Sequence, residues 1–223
     1  METAIGQRNF STESPVSPVA MHNAPPNRTE MLAKRACDVA LALFILVLLS
    51  PLMFLVSLVI KLDSAGPIIF KQRRTGFNGQ EFTIFKFRSM SVLEDGRQLA
   101  QARRNHLRIT NMGRLLRQSS IDELPQLINV IRGEMSLVGP RPHAVAHDDQ
   151  YRASIASYAL RHHVKPGITG WAQINGLRGE PPLIQDMEKR IALDLWYIDN
   201  WSLKLDFEII WRSCFEVMQV KAN

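Results

Sequence analysis

The stretch Val39-Ala-Leu-Ala-Leu-Phe-Ile-Leu-Val-Leu-Leu-Ser-Pro-Leu-Met-Phe-Leu-Val-Ser-Leu-Val-Ile60 decides the fold, because its 22 residues carry no charge. A helix of that length is long enough to span a bilayer. Ser50-Pro51 stands near its middle. Pro51 has no N–H, and its ring clashes with the carbonyl of Val47, so the helix should bend or break there. The Ser50 hydroxyl is placed to satisfy the carbonyl that Pro51 frees. Lys34 and Arg35 precede the run, and Lys61, Lys71, Arg73 and Arg74 follow it. Basic flanks stay cytoplasmic, and two of them fit a helix that dips into the membrane and returns. Each arm of about 12 residues would rise about 18 Å, less than the hydrocarbon thickness of about 30 Å. A kinked true span fits the same letters, and a buried helix of a soluble protein is a third reading.

Working outward, residues 1–30 are rich in Ser, Thr, Pro and Asn and read as a disordered tail. They lack the apolar core of a signal peptide. After the apolar run, Ile68 to Arg73 and Phe82 to Arg88 are β-prone and flank Gly76-Phe-Asn-Gly79, which predicts a β-hairpin. Phe82 and Ile84 would pack one face of it. Residues 91–118 are polar and read as helical. Two helices are expected from Leu183 to Val220, joined near Asn200, with Ile184, Met187, Ile191 and Leu195 as one stripe flanked by Asp194 and Tyr197. Trp196, Trp201 and Trp211 suit either a membrane interface or a core. The expected organisation is a 1–30 tail, a 31–62 membrane helix and a 63–223 catalytic domain. The fold class is mainly α with a small β-hairpin.

Bulk charge narrows the partners only coarsely. The formal net charge of +6 and pI of about 9.6 suit nucleic acid, an anionic membrane surface or a phosphorylated substrate. Cys37 and Cys214 have neither metal nor redox spacing, which points to a reducing compartment. His143 and His147 stand at i, i+4 but lack a clear third metal ligand, so solvated or substrate-side histidines are the simpler reading.

The chemistry concentrates in Arg117-Gln-Ser-Ser-Ile-Asp-Glu-Leu-Pro-Gln126. Leu124, Leu127, Ile128 and Ile131 have the spacing of one helix face, and Gly133 is a stop. Pro125 belongs in a first turn, which makes Asp122 the N-cap or nearly so. A helix start favours a carboxylate and a phosphate alike. On this reading Arg117, the helix start and a metal all lower the Asp122 pKa. The same letters fit a capping box, Ser120-x-x-Glu123, with Asp122 as ordinary first-turn charge. In Gly139-Pro-Arg-Pro142 two prolines hold the backbone around Arg141, which suits bidentate phosphate recognition or a rigid surface turn. Lys86 and Arg88 end the second strand as edge charges or phosphate ligands. Arg103, Arg104, Arg108, Arg114 and Arg117 form a basic stretch. Lys165 to Gly179 is too Gly-rich for a helix and lacks any nucleotide-binding glycine fingerprint.

Taken in order, these pieces resemble one family. They are Lys34-Arg-x-x-Asp38, the run broken at Ser50-Pro51, Phe85-Lys-Phe-Arg-Ser-Met90, Arg117-x-x-Ser120-x-Asp-Glu-Leu-Pro-Gln126, Gly139-Pro-Arg-Pro142 and Pro166-Gly-Ile-Thr-Gly170. From Lys34 to the C-terminus the chain is similar to the bacterial sugar transferases, the monotopic phosphoglycosyl transferases, in a minimal catalytic form. The resemblance implies transfer of a hexose-1-phosphate from a UDP-hexose to undecaprenyl phosphate, releasing UMP, at the start of exopolysaccharide assembly. Galactose is slightly preferred over glucose. It implies Asp122 as nucleophile and Mg²⁺ ligand, Glu123 as second catalytic carboxylate, and Lys86, Arg117 and Arg141 as phosphate-binding residues. It implies a re-entrant helix, interfacial amphipathic helices and a place on the cytoplasmic face of the bacterial inner membrane, among inner-leaflet lipids. Nucleic acid is not an expected partner, and a homodimer is left open. Two other classes compete: a basic membrane-anchored binding module, and a glycosyl transferase releasing UDP, for which no Asp-x-Asp motif is present.

Overall fold

The structure is a computed structural model that describes residues 27–90, 110–179 and 183–219. Residues 1–26 of the expected tail and most of the 91–118 segment therefore lie outside the described residues, and residues 27–30 belong to the start of a helix rather than to a tail. Helix α1 runs Arg28–Asp63, 36 residues, with Pro51 inside it. It starts earlier than the charge pattern suggests because Asn27 and Glu30 form a capping box: the Asn27 side chain accepts from Glu30 N at 2.8 Å, and Glu30 Oε2 accepts from Asn27 N at 2.9 Å. Pro51 does not end the helix. Ser50 Oγ donates to the Val47 carbonyl at 2.8 Å, the acceptor that proline leaves without its N–H.

At about 1.5 Å per residue, α1 is about 54 Å long. Most of its apolar surface is outward, Val47 at 72% and Phe54 at 67% exposure. Yet both ends grip the same globular body. Near the start, Lys34 Nζ meets Asp206 at 2.6 Å, Arg35 donates to the carbonyls of Val130 and Ile131, and Asp38 accepts from Ser136 Oγ at 2.8 Å. At the other end Val56 and Ile60 pack against Phe87 and Leu116.

The hairpin forms as expected: β1 (Ile69–Thr75) pairs antiparallel with β2 (Glu81–Phe87), Ile69 opposite Phe87 and Thr75 opposite Glu81. Its turn places Asn78 at φ 53° and Gly79 at φ 75°, the left-handed region Asn and Gly tolerate best. Ile84 is buried and Phe82 packs against the main core. Strand parity then puts Lys86 on that same face. Arg88 is a different case from the edge charge or phosphate ligand expected. It is buried, and its guanidinium caps the end of α1, donating to the carbonyls of Ile60, Ser64 and Ala65 and to Ser64 Oγ.

Helices α2 (Asn111–Ser119) and α3 (Gln126–Arg132) follow, separated by a 3-10 turn at Ile121–Glu123. Gly133 ends α3 at φ 87°, as its position suggests. Asp122 is not the N-cap of α3; Pro125 holds that place. Strand β3 (Ser136–Val138) pairs in parallel with β4 (Gly167–Thr169), an element hidden in what reads as a loop. A Cβ on Gly139 would run into the Lys165 carbonyl, so the two segments approach only because glycine stands there. Helices α4 (Val145–Ser154) and α5 (Trp171–Ile174) precede the final pair, α6 (Ile184–Asp199) and α7 (Leu203–Gln219). The predicted stripe is buried at Met187, Ile191 and Leu195, whereas Ile184 lies outward at 47%. Phe207 and Trp211 of α7 are also exposed.

Candidate active site

Asp122 and Glu123 sit side by side on the 3-10 turn, and both are buried. The capping-box alternative does not form: Ser120 makes no side-chain cap bond, and its Oγ instead accepts from Arg178. Ser120 has φ 57°, a left-handed backbone unusual for a residue with a side chain.

Glu123 gathers the cations. Lys86 Nζ donates to Glu123 Oε1 at 2.7 Å, and Arg141 donates to Oε2 at 3.1 Å and also to Oε1. The guanidinium fork foreseen for a phosphate is thus laid on a carboxylate. Burial alone would raise the Glu123 carboxyl, but Arg141 and Lys86 hold it well below the ordinary range. Burial pushes the Lys86 ammonium down. Glu123 therefore meets both cations, and counted together with neighbouring Asp122 the four charges of Asp122, Glu123, Lys86 and Arg141 balance.

Asp122 corrects a second expectation. Burial raises its pKa from 3.8 to about 6, the Glu123 charge adding to the rise and Lys86, Arg141 and Arg117 opposing it. The sequence placed it at a helix start beside Arg117, which would lower it; instead it lies in a desolvated turn. No described side chain donates a hydrogen bond to it. Arg117 is exposed on α2 and reaches Asp122 only through its field. Of the five residues picked from the sequence, the structure brings four into contact or direct sequence adjacency and leaves Arg117 at the edge.

The supports of this site were not legible beforehand. Buried Asn129 of α3 accepts from Phe85 N at 3.1 Å and donates to the Thr83 carbonyl at 2.7 Å, fixing α3 against β2 and so Glu123 against Lys86. Arg161 Nη2 donates to the Arg141 carbonyl at 2.7 Å and to Asp194 at 2.8 Å. Arg74 donates to the Pro142 carbonyl at 2.9 Å. The rigid turn is thus pinned at two successive carbonyls. The flanking position of Asp194 on its helix was the only sequence hint. His143 is buried, not solvated, and meets Tyr158 Oη at 2.6 Å. Burial, then the charges of Arg161 and Arg190, hold it well below the ordinary histidine pKa, so it is neutral.

Among the described residues no cluster of three metal-ligating side chains occurs. Of the two site carboxylates, Glu123 is engaged by Lys86 and Arg141, whereas Asp122 accepts no hydrogen bond from a described side chain. That fits Mg²⁺, which keeps several waters and is held by one or two carboxylates together with substrate phosphates. An apolar cavity of about 350 Å³ between α1 and α7, lined by Leu41, Phe44, Phe207 and Ile210, does not include the carboxylate pair.

Buried paired carboxylates flanked by Lys and Arg, on a body gripping both ends of a long apolar helix, are consistent with membrane association and with an anionic substrate. The chain belongs to the family described as Bacterial sugar transferase, whose profile matches residues 29–220. It is 50% identical over 204 residues, 92% of this chain and 44% of the relative, to the UDP-glucose:undecaprenyl-phosphate glucose-1-phosphate transferase of Escherichia coli (strain K12). It is 52% identical over 182 residues, 82% of this chain and 68% of the relative, to the protein of that name from Caulobacter vibrioides. A UDP-N-acetylgalactosamine-undecaprenyl-phosphate N-acetylgalactosaminephosphotransferase from Aeromonas hydrophila is 40% identical over 190 residues, 84% of this chain and 44% of that protein. The chain spans less than half the length of the Escherichia and Aeromonas relatives.

Proposed function

We propose that the chain transfers a hexose-1-phosphate from a UDP-hexose to undecaprenyl phosphate, releasing UMP, through a covalent intermediate on Asp122. The observation that carries this reading is the buried Asp122 carboxylate, unbonded and adjacent to the Lys86–Glu123–Arg141 cluster, in a member of this family. With a pKa of about 6, Asp122 is mostly ionised at neutral pH and needs no general base. A carboxylate oxygen attacks the β-phosphorus, the bond to the bridging oxygen breaks, and UMP leaves. A phosphate oxygen of the polyprenyl acceptor then attacks the same phosphorus and frees the carboxylate, giving a lipid diphosphate-linked hexose. Glu123 holds Lys86 and Arg141 in register beside the phosphates. Asp122 would hold a Mg²⁺ ion, whose charge when bound would offset the negative charge of the diphosphate.

The names of the relatives favour glucose as the hexose and lend no support to galactose. Loading a hexose phosphate on undecaprenyl phosphate suits a role at the first membrane step of exopolysaccharide synthesis, as the sequence resemblance implies. Because one catalytic body holds both ends of α1, we place both ends on the cytoplasmic face of the inner membrane, with α1 dipping among inner-leaflet lipids and returning. The exposed Phe207 and Trp211 suit α7 to the membrane interface.

The test is intact-protein mass after incubation with UDP-glucose and Mg²⁺, without polyprenyl phosphate. Wild type should release up to one equivalent of UMP and gain a hexose phosphate that maps to Asp122. Asp122→Asn should do neither. Release of UDP, or of UMP only when polyprenyl phosphate is present and with no adduct, would refute the covalent mechanism.

A further inference from the structure

The cations that resemble phosphate ligands are already committed. Lys86 and Arg141 both bind Glu123, and with Asp122 the four charges cancel. A diphosphate brings about two further negative charges, which this balanced cluster does not offset. Among the described residues, Arg117, exposed on α2, and Arg178, from the loop after α5, bring further guanidinium groups to the nucleophile turn. Arg178 donates to the hydroxyl of Ser120, two residues before Asp122, and no carboxylate among the described residues pairs with it. Its loop is held in place from behind: Arg190 Nη2 donates to the Leu177 carbonyl at 2.6 Å and also to the Gly179 carbonyl. Arg190 is itself buried. The backbone on either side of Arg178 is therefore fixed, and the side chain is aimed across at the left-handed residue that opens the Asp122 turn. A fixed guanidinium whose only described partner is a neutral hydroxyl keeps its full charge for an anion and loses little freedom on binding one.

We infer that Arg178 is a further substrate-binding residue, supplying positive charge to the diphosphate of the nucleotide-sugar in the Asp122 site. The inference deepens the proposed function and rests on it. The bond to Ser120 is the resting arrangement; the phosphate competes with that hydroxyl for the guanidinium.

The experiment titrates the full chain in lipid nanodiscs with UDP by calorimetry, for wild type, Arg178→Lys, Arg178→Gln and Arg178→Ala. Gln keeps a donor for Ser120 but no charge, and Lys keeps the charge. A charge role orders the affinities wild type, then Lys, then Gln with Ala, the Gln variant binding UDP roughly 10- to 100-fold more weakly. A purely structural tether between the loop and Ser120 would leave Gln near wild type along with Lys, since both keep a donor for the hydroxyl, and only Ala would fall. A Gln variant within about twofold of wild type overturns the inference. If circular-dichroism melting shows the Gln variant unfolded, the Lys variant decides, and a Lys variant as weak as Ala overturns it. Wild type that binds UDP and forms the adduct, beside a Gln variant that binds equally well, sinks this inference alone. Wild type that neither binds UDP nor forms an adduct sinks the proposed function with it.

Discussion

Asp122→Asn should abolish activity and at the same time stabilise the protein. The wild-type carboxylate is 6% exposed and accepts no hydrogen bond from a described side chain, so its charge is held at a cost. The rise in its pKa from 3.8 to about 6 corresponds to about 3 kcal/mol of destabilisation at neutral pH, at about 1.4 kcal/mol per pKa unit. The sign follows from the raised value. Below pH 3.8 the group is protonated folded and unfolded, and costs nothing. Between 3.8 and about 6 the unfolded chain ionises first, so folding stability falls as pH rises, and above 6 the full cost is present. Asn removes the charge but leaves a polar amide in the same place, itself costing about 1 kcal/mol or more to bury. The net gain is about 1–2 kcal/mol, roughly 2–8 °C in melting temperature for a chain of this size. The assay is thermal melting by near-ultraviolet circular dichroism in detergent at pH 7.5 and pH 4.5. The gain should be present at 7.5 and mostly gone at 4.5. An Asn variant that melts at or below wild type at pH 7.5, or gains equally at both values, would refute a strained, desolvated nucleophile.

The same ionisation should shape the chemistry: single-turnover UMP release should halve near pH 6 and fall about tenfold per unit below it, whereas a rate flat down to pH 5 would mean a depressed carboxylate. Arg141→Lys should slow adduct formation about tenfold or more, because an ammonium cannot lay two parallel bonds on Glu123; near-normal turnover would reduce Gly139–Pro142 to a structural turn. With Cys37 and Cys214 replaced by Ser, single cysteines at Thr29 and Leu62 should both escape an impermeant thiol reagent in intact cells and both react after permeabilisation. Labelling of only one from outside would show a true span. Arg88→Gln should lower the melting temperature, since it withdraws the charged cap from the Ile60, Ser64 and Ala65 carbonyls; a melt unchanged from wild type would remove that structural role.

Features whose causes lie within a few residues of one another can be read directly from the order of the amino acids. The repair of the Val47 carbonyl by Ser50 spans three residues, the hairpin turn needs only Asn78 and Gly79, and Gly133 stops α3 by its own backbone freedom. The adjacency of Asp122 and Glu123 is covalent. The order of these local pieces was also enough to carry the family resemblance. The tertiary structure decided what each charge does. Lys86 and Arg141 come to Glu123 from 37 and 18 residues away, and Arg88 reaches back 28 residues to cap α1, so a residue's type and neighbours say nothing of whether it meets phosphate, carboxylate or carbonyl. The Asp122 pKa reversed direction for the same reason. A helix start and a nearby arginine are local and stabilise the charge, but burial is a property of the whole packed body, and in this turn desolvation outweighs them.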